Sequence, residues 1–317
     1  MRVRRRVNPD GSTAVSPAAL DAVQRAIAEL NYVPNRAARS LASKQTHAIA
    51  LVVPEDTSRF FGDPFFAPIV SGINAYLSKS DYVLNLFIAS DDPGDKTTDY
   101  LRSGAVDGAI IVSHHTSDTF IDRIASAVPV VYGGRPMRER EGDYYIDVDN
   151  VHGGQGAVAY LIARGHRRIA TIAGPLTMPA GVDRLQGYRQ ALAEAGLPEG
   201  VVEEGEFTTE GGADAMRRIL DRGGDPPDAI FIASDLMAQG ALAVLGAAGL
   251  RVPEDVAIIG FDDSPVATSV IPQLTTMRQP SFAQGEQMAA TLIDLLAGRN
   301  PRHVMILDTE LVVRDSA

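Results

Sequence analysis

From residue 47 onward, short apolar runs rich in β-branched residues alternate with helix-like segments, and the series is played twice. In the first round, "AIALVV" (48–53), "YVLNLFIA" (82–89), "GAIIVS" (108–113) and "VPVVYGG" (128–134) read as strands. Helical segments fall between them at 64–79, 96–104 and 117–127. The strands are apolar throughout instead of alternating with polar residues, so both of their faces are covered. That is the signature of a parallel sheet sandwiched between helices. The second round runs from "YYIDVDN" (144–150) through a helix around 152–164, "RIATIAG" (168–174), helices at 183–196 and 212–223, "DAIFIAS" (228–234), a helix at 237–249, and "VAIIGFDD" (256–263). A last helix at 281–298 and an extended segment at 304–315 close the chain. The fold class expected is α/β, with two doubly wound, Rossmann-like parallel-sheet lobes and a crevice between them. Ligands in such folds bind beyond the carboxyl ends of the strands.

The segment before residue 47 has a different character. Ser16 and Pro17 suit the cap and first position of a helix, and Leu20, Val23, Ile27 and Leu30 fall on one face of it. Pro34 ends that pattern, and Asn35 can open a second, two-turn helix over 36–43, too short to be stable alone in water. Residues 1–46 carry eight Lys and Arg against three Asp and Glu, whereas the whole chain has a formal charge of −11. A basic arm is attached to an acidic body. There is no cysteine, so no disulfide framework, which fits a reducing cytoplasm. No apolar run approaches the ~18 residues of a membrane helix. The basic start is not followed by the apolar stretch of a secretory signal.

The combination of "VSPAALDAVQRAIAELNYVPNRAARSL", "DGAIIV", "GGQGAVAYLIARGHRRIATIAGP", "RLQGYRQAL", "ASDLMAQGAL" and "VAIIGFDDSPVATSVIPQLTTMRQP", in this order and over nearly the whole chain, resembles the LacI family of bacterial transcription regulators. The resemblance implies an all-α DNA headpiece and hinge helix over 1–46. A periplasmic-binding-protein type I core follows over 47–317, which binds the effector and dimerises. Its N-lobe would be about 47–147 plus 279–308, and its C-lobe about 148–278 plus 309–317. "RVRRRVN" (2–8) aligns with the tail of the family's recognition helix, so the helix-turn-helix is expected to be truncated at its N-terminus and to read operator sequence poorly.

The resemblance also assigns the basic stretch "RAARSLAS". Two such hinge helices in a homodimer would pack through Ala37 and Ala38 in the minor groove, with Leu41 wedged into a base step. Arg36, Arg39 and Lys44 would lie near phosphates. Operator DNA is thus one expected partner.

The other expected partner is a small-molecule effector, a mono-, di- or oligosaccharide. Sugar sites need aromatic faces and hydrogen-bonding side chains, and without tryptophan the rings must be Phe or Tyr. "FFGDPFF" (60–66) supplies Phe65 and Phe66. By resemblance Arg184 reaches into the crevice, where a fork of donors suits vicinal hydroxyls, and Asp262 joins it from a strand end. Ser113 or His114 is expected as a polar rim contact. Ser234 stands where relatives carry Asn. Asp235 is a candidate contact that also suits a helix N-cap. Tyr132 and Arg135 flank Gly133 and Gly134, and Gly134 occupies a position where many relatives have Asp, leaving room for a larger ligand. Phe282 falls where relatives place a ring at the crevice mouth.

Enzyme-like signals are weak. "GQGAVA" (154–159) fits a dinucleotide pattern but opens the second lobe and lacks the acidic partner. "HH" (114–115) is a lone pair, and no nucleophile elbow or zincin motif is present. No cofactor or metal is expected, and no enzyme activity. The reading is a cytoplasmic, homodimeric, ligand-responsive repressor of carbohydrate-use genes. The alternative is the sugar-binding protein of a transport system.

Overall fold

The structure is a computed structural model that describes residues 6–7, 13–14, 16–30, 45–90 and 95–317. The chain divides into two units, Met1–Thr46 and His47–Ala317. In the first, the two-residue strands β1 (Arg6–Val7) and β2 (Thr13–Ala14) pair antiparallel, and α1 spans Pro17–Glu29. Ser16 precedes it and its hydroxyl accepts from the Ala19 N–H at 3.3 Å. Leu20, Val23, Ile27 and Leu30 are exposed. The expected hinge helix, with Arg36, Ala38, Arg39, Leu41 and Lys44, lies outside the described residues.

The second unit holds two six-stranded sheets. Its elements begin with β3 (Ala48–Val53), α2 (Thr57–Gly62), α3 (Phe66–Leu77), β4 (Val83–Ile88), α4 (Lys96–Tyr100), β5 (Gly108–Val112), α5 (Phe120–Ala125), β6 (Val130–Gly133) and β7 (Tyr144–Val148). There follow α6 (Asn150–Ala163), β8 (Ile169–Ala173), α7 (Pro179–Glu194), β9 (Val202–Glu204), α8 (Thr209–Asp221), β10 (Ala229–Ile232), α9 (Asp235–Ala247), β11 (Ala257–Asp262), α10 (Pro265–Ser269), β12 (Thr275–Arg278), α11 (Ser281–Leu296), β13 (Val304–Leu307) and β14 (Glu310–Val312). The first sheet runs β13-β7-β6-β5-β3-β4, all parallel. The second runs β14-β12-β11-β10-β8-β9, parallel except for the edge strand β14.

Each sheet is doubly wound. The order reverses between β3 and β5 in the first lobe and between β8 and β10 in the second. Such switch points leave a crevice at the strands' carboxyl ends. The central strands β3, β5, β8 and β10 are buried along their whole length, as apolar runs covered on both faces should be.

Three details differ from expectation. The segment 304–315 is not one extended element: it turns at Asp308 and Thr309 and gives one strand to each sheet. The short strand β12 lies in "TTMR", where Thr275 and Thr276 are fully buried, so polarity concealed it. α7 starts at Pro179 instead of 183, because Pro sits at its first position.

The last long helix belongs to the first lobe although it follows a strand of the second. α11 packs on α3 so closely that a Cβ on Gly72 would strike the carbonyl oxygen of Phe282, and one on Gly285 that of Ile69. Met288, Ala289 and Leu292 complete the core under Ile49, Leu51 and Ile110. This helix carries its first turn to the crevice.

Candidate functional site

A cleft open to solvent, of about 730 Å³ including the solvent space at its mouth, lies between the lobes at both switch points. Its walls come from segments that leave strand ends. Arg59, Asp63, Phe65 and Phe66 follow β3; Ser113 and His114 follow β5; Gly134 follows β6; Asp147 and Asn150 lie at the end of β7. The second lobe contributes Met178, Pro179, Arg184, Phe207, Ser234 and Asp262, and the segment that returns to the first lobe contributes Gln279 and, on α11, Gln284.

Arg184 is the centre of this arrangement. The helix α7 delivers it into the crevice, where it is 4% exposed. Its guanidinium carbon lies 3.6 Å from the centroid of the Phe261 ring. Nε donates to Asn150 Oδ1 at 2.9 Å, and Nη1 to the Ala233 carbonyl oxygen at 2.6 Å and to Asp262 Oδ1 at 3.5 Å. These bonds fix the plane of the fork and leave Nη2 as the donor for a bound molecule. Burial pushes the Arg184 pKa down, and Asp262 opposes that shift.

Asp262 ends β11 with φ at 118°, a conformation that costs strain for any residue but glycine. Its Oδ1 also accepts from Gln279 Nε2 at 2.6 Å. Burial raises its pKa well above the usual carboxylate range, against the Arg184 charge. Asp63 accepts from the Phe65 N–H at 2.9 Å, and Asp147 from the backbone N–H groups of Arg135 and Val148, each at 2.8 Å. Burial raises both of these as well. Ser113, with φ at 62°, donates its hydroxyl to Glu55 at 2.7 Å.

Seven of the residues singled out in the sequence line this cavity: Phe65, Phe66, Ser113, His114, Arg184, Ser234 and Asp262. Four do not. Tyr132 faces the other side of its sheet, in a cluster with Ala50, Val52 and Ile111, and borders a neighbouring cleft with His115, Arg140 and His114, a residue that lines both, its ring centroid 5.6 Å from that of Tyr132. Arg135 turns its side chain to Asp183. Phe282, in the first turn of α11, is 45% exposed and is not among the residues lining the cavity. Asp235 is fully buried beneath the strand ends, where Thr276 Oγ1 donates to it at 2.6 Å and the Ser264 N–H at 2.8 Å. The N-cap of α9 is Ser234, whose hydroxyl accepts from the Met237 N–H at 3.2 Å.

Asn150, Phe207, Gln279 and Gln284 are cavity residues that the sequence reading did not single out. Gln279 could have been found, since it follows a strand end as Asp262 does. Phe207 adopts φ of 53° in an irregular loop and gives no periodic signal. Among the described residues no three His, Asp or Glu side chains are arranged to hold a metal ion, and no helix is long and apolar enough to cross a membrane.

The donors, the carboxylates and the rings Phe65, Phe66 and Phe207 suit a molecule with hydroxyl edges and apolar faces. Comparison with known proteins points the same way. Residues 158–317 match the family model described as a periplasmic binding protein-like domain. Over 315 residues the chain is 47% identical to the HTH-type transcriptional regulator CelR of Thermobifida fusca, covering 97% of this chain and 92% of that protein. Its structure is similar to that of a transcriptional regulator CelR–cellobiose complex, with a TM-score of 0.83, 45% identity, and coverage of 97% of this chain and 93% of the other. It is also similar to a lac repressor dimer bound to operator and the anti-inducer ONPF, with a TM-score of 0.82, 27% identity, and coverage of 97% and 92%.

Proposed function

The chain belongs to the LacI family of transcriptional regulators, and from that premise we propose that it is a cytoplasmic, homodimeric repressor of carbohydrate-use genes whose operator affinity is set by a sugar in the inter-lobe cavity. The observation that carries this reading is the clamped fork of Arg184, stacked on Phe261 and aimed into a cavity walled by carboxylates and three phenylalanine rings. A planar guanidinium held against an aromatic ring, with its free Nη2 beside carboxylates, suits recognition of sugar hydroxyls. The cellobiose bound by the CelR relative supports a di- or oligosaccharide, and Gly134, with no atom within 4 Å of a Cβ built on it, leaves space for one.

In this proposal residues 1–46 form the headpiece and hinge, and 47–317 the effector and dimerisation core. Residues 47–147 plus 279–308 form one lobe, and 148–278 plus 309–317 the other. The split of β13 and β14 between the sheets supports that partition. Arg36, Ala38, Arg39, Leu41 and Lys44 make the operator contacts. Sugar binding favours one relative arrangement of the lobes and lowers operator affinity. Such coupling is typically about 1–3 kcal/mol and is reciprocal, so operator weakens the sugar by the same factor.

The test is a thermal-shift screen against neutral sugars, followed by operator titration of the full-length protein with and without each hit. A hit raises Tm by selective binding to the folded state and weakens operator binding at least fivefold. A sugar that binds free and operator-bound protein equally is not the inducer, and a screen without any hit removes the sugar reading.

A further inference from the structure

Glu55 stands two residues past the end of β3, outside the lining of the cleft, and is 5% exposed. Three donors converge on its carboxylate. The Ser113 hydroxyl donates to Oε1 at 2.7 Å, His115 Nε2 meets the same oxygen at 3.2 Å, and Arg59 Nε lies 3.3 Å from Oε2. Ser113 and Arg59 line the cleft, whereas His115 borders only the neighbouring one. From there His115 reaches the second lobe. Its Nδ1 meets Thr177 Oγ1 at 3.0 Å, beside the bond from the Thr116 N–H to the Thr177 carbonyl oxygen at 3.1 Å. Thr177, like Glu55 and His115, is not part of the cleft's lining.

The direction of each bond follows from what the groups can do. A carboxylate oxygen only accepts, so His115 Nε2 carries a proton and donates it to Glu55, leaving Nδ1 as the atom that meets Thr177. Ser113 commits its one proton to Glu55, so its oxygen offers lone pairs to the cleft and takes a proton from a ligand hydroxyl. A ligand bound there extends one run of hydrogen bonds through Ser113, Glu55 and His115 to Thr177 in the other lobe.

The shared oxygen sets the sign of the coupling. Ser113 and His115 both donate to Oε1 and draw on the same electron density. A ligand that donates to Ser113 polarises its O–H and strengthens the Ser113 bond. The longer His115 bond on that oxygen is the one that weakens.

We infer that Glu55 is a positioning residue through which an occupied cleft loosens the His115–Thr177 contact between the lobes. This deepens the sugar reading and rests on it. The coupling is reciprocal, so loosening that contact tightens the ligand by the same factor.

Titration calorimetry at pH 7.5 tests it, with cellobiose, maltose and lactose as probes. The variants are Thr177→Val, Glu55→Met and Glu55→Gln, and each Glu55 variant combined with Thr177→Val. Thr177→Val keeps the side chain's shape, removes only the hydroxyl and lies outside the cleft's lining, so a merely structural role leaves sugar affinity unmoved. Thr177→Val binds the sugar about threefold or more tightly than the wild type. Glu55→Met removes the shared oxygen, so adding Thr177→Val to it changes affinity no further. Glu55→Gln keeps an oxygen for both donors, so the gain from Thr177→Val survives in it. Hydrogen exchange on the wild type reads the same coupling without a substitution. The sugar speeds exchange of the Thr116 N–H, the reverse of the slowing that ligand binding ordinarily brings. A wild type that binds none of the probes overturns the sugar reading and this inference together. Where the wild type binds one, four results each overturn this inference alone: a Thr177→Val affinity equal to or weaker than the wild type's, a gain that persists in Glu55→Met, a gain that vanishes in Glu55→Gln, or exchange at Thr116 that is unchanged or slower.

Discussion

Arg135 Nη2 contacts both carboxylate oxygens of Asp183, at 2.7 and 2.9 Å, and so ties the end of β6 in one lobe to α7 in the other. Beside it, His115 Nδ1 meets Thr177 Oγ1 at 3.0 Å and the Thr116 N–H donates to the Thr177 carbonyl at 3.1 Å. These contacts cross the crevice on one flank of the cavity, one residue along α7 from Arg184.

The tie is partly solvated, with the Arg135 and Asp183 side chains 33% and 13% exposed. Asp183→Asn should therefore cost only about 1 kcal/mol of stability. Its larger effect should be on the angle between the lobes. Small-angle scattering of the ligand-free variant should give a larger radius of gyration than the wild type, and the two should converge when sugar is added. Identical scattering in the ligand-free state would show that packing, not this ion pair, holds the lobes.

Arg184→Met removes the fork while leaving Asp262 and Asp147 buried without the cation that faces them. Breaking a buried pair costs about 3–5 kcal/mol, because the remaining charge has lost its partner. Chemical denaturation should show that loss, and calorimetry should show sugar affinity reduced more than a hundredfold. Arg184→Lys should not restore affinity, since a single ammonium cannot reach Asn150, Ala233 and a ligand at once.

Two glycines of α9 should respond in opposite directions. A Cβ on Gly240 falls against the carbonyl oxygen of Thr209 on α8, whereas one on Gly246 has no atom within 4 Å. Gly240→Ala should destabilise by roughly 2 kcal/mol or more, as overpacking against backbone does. Gly246→Ala should stabilise by about 0.5–1 kcal/mol through helix propensity. Thermal melts of the two variants measure both signs.

The pH dependence of stability should carry two opposite contributions. His114 is held down to about 4, so below its unfolded value of 6.5 the unfolded chain takes up a proton that the folded one refuses. Its contribution is present above pH 6.5 and is lost as pH falls toward 4. Melts of His114→Phe should gain on the wild type through that window. Asp235 is raised by burial to about 7, from 3.8. There the folded state holds the extra proton, so stability is present at low pH and declines as pH rises from about 4 to about 7. Asp235→Asn should flatten that decline. A His114→Phe gain that is constant from pH 7 to pH 4.5 would show that the ring is not held neutral by burial.

Much of the site was legible because strand ends are legible. A chain that reads as strand, then a short polar break, then a helix announces which residues stand at the carboxyl edge of a sheet. Phe65 and Ser113 were placed by that logic, Asp262 by it together with the family resemblance, and Ser234 by the resemblance. It fails at the resolution of one residue. Tyr132 and Gly133 are neighbours on β6, yet the first packs under α5 while the second meets Met288 of α11 on the opposite face. Strand side chains alternate, and a four-residue apolar strand does not say which face comes first.

The sequence by itself determined the alternation of elements, the two rounds of winding and the basic arm before the core, because hydrophobic period, caps and charge are local properties. Only the tertiary structure decided that Asn150 holds Arg184 and that Gln284, on the helix the family resemblance already returned to the first lobe, donates to the Ile146 carbonyl. Those choices depend on which side chains meet once the elements have packed, 34 residues apart for Asn150 and Arg184 and 138 for Ile146 and Gln284, and no local pattern encodes such a meeting.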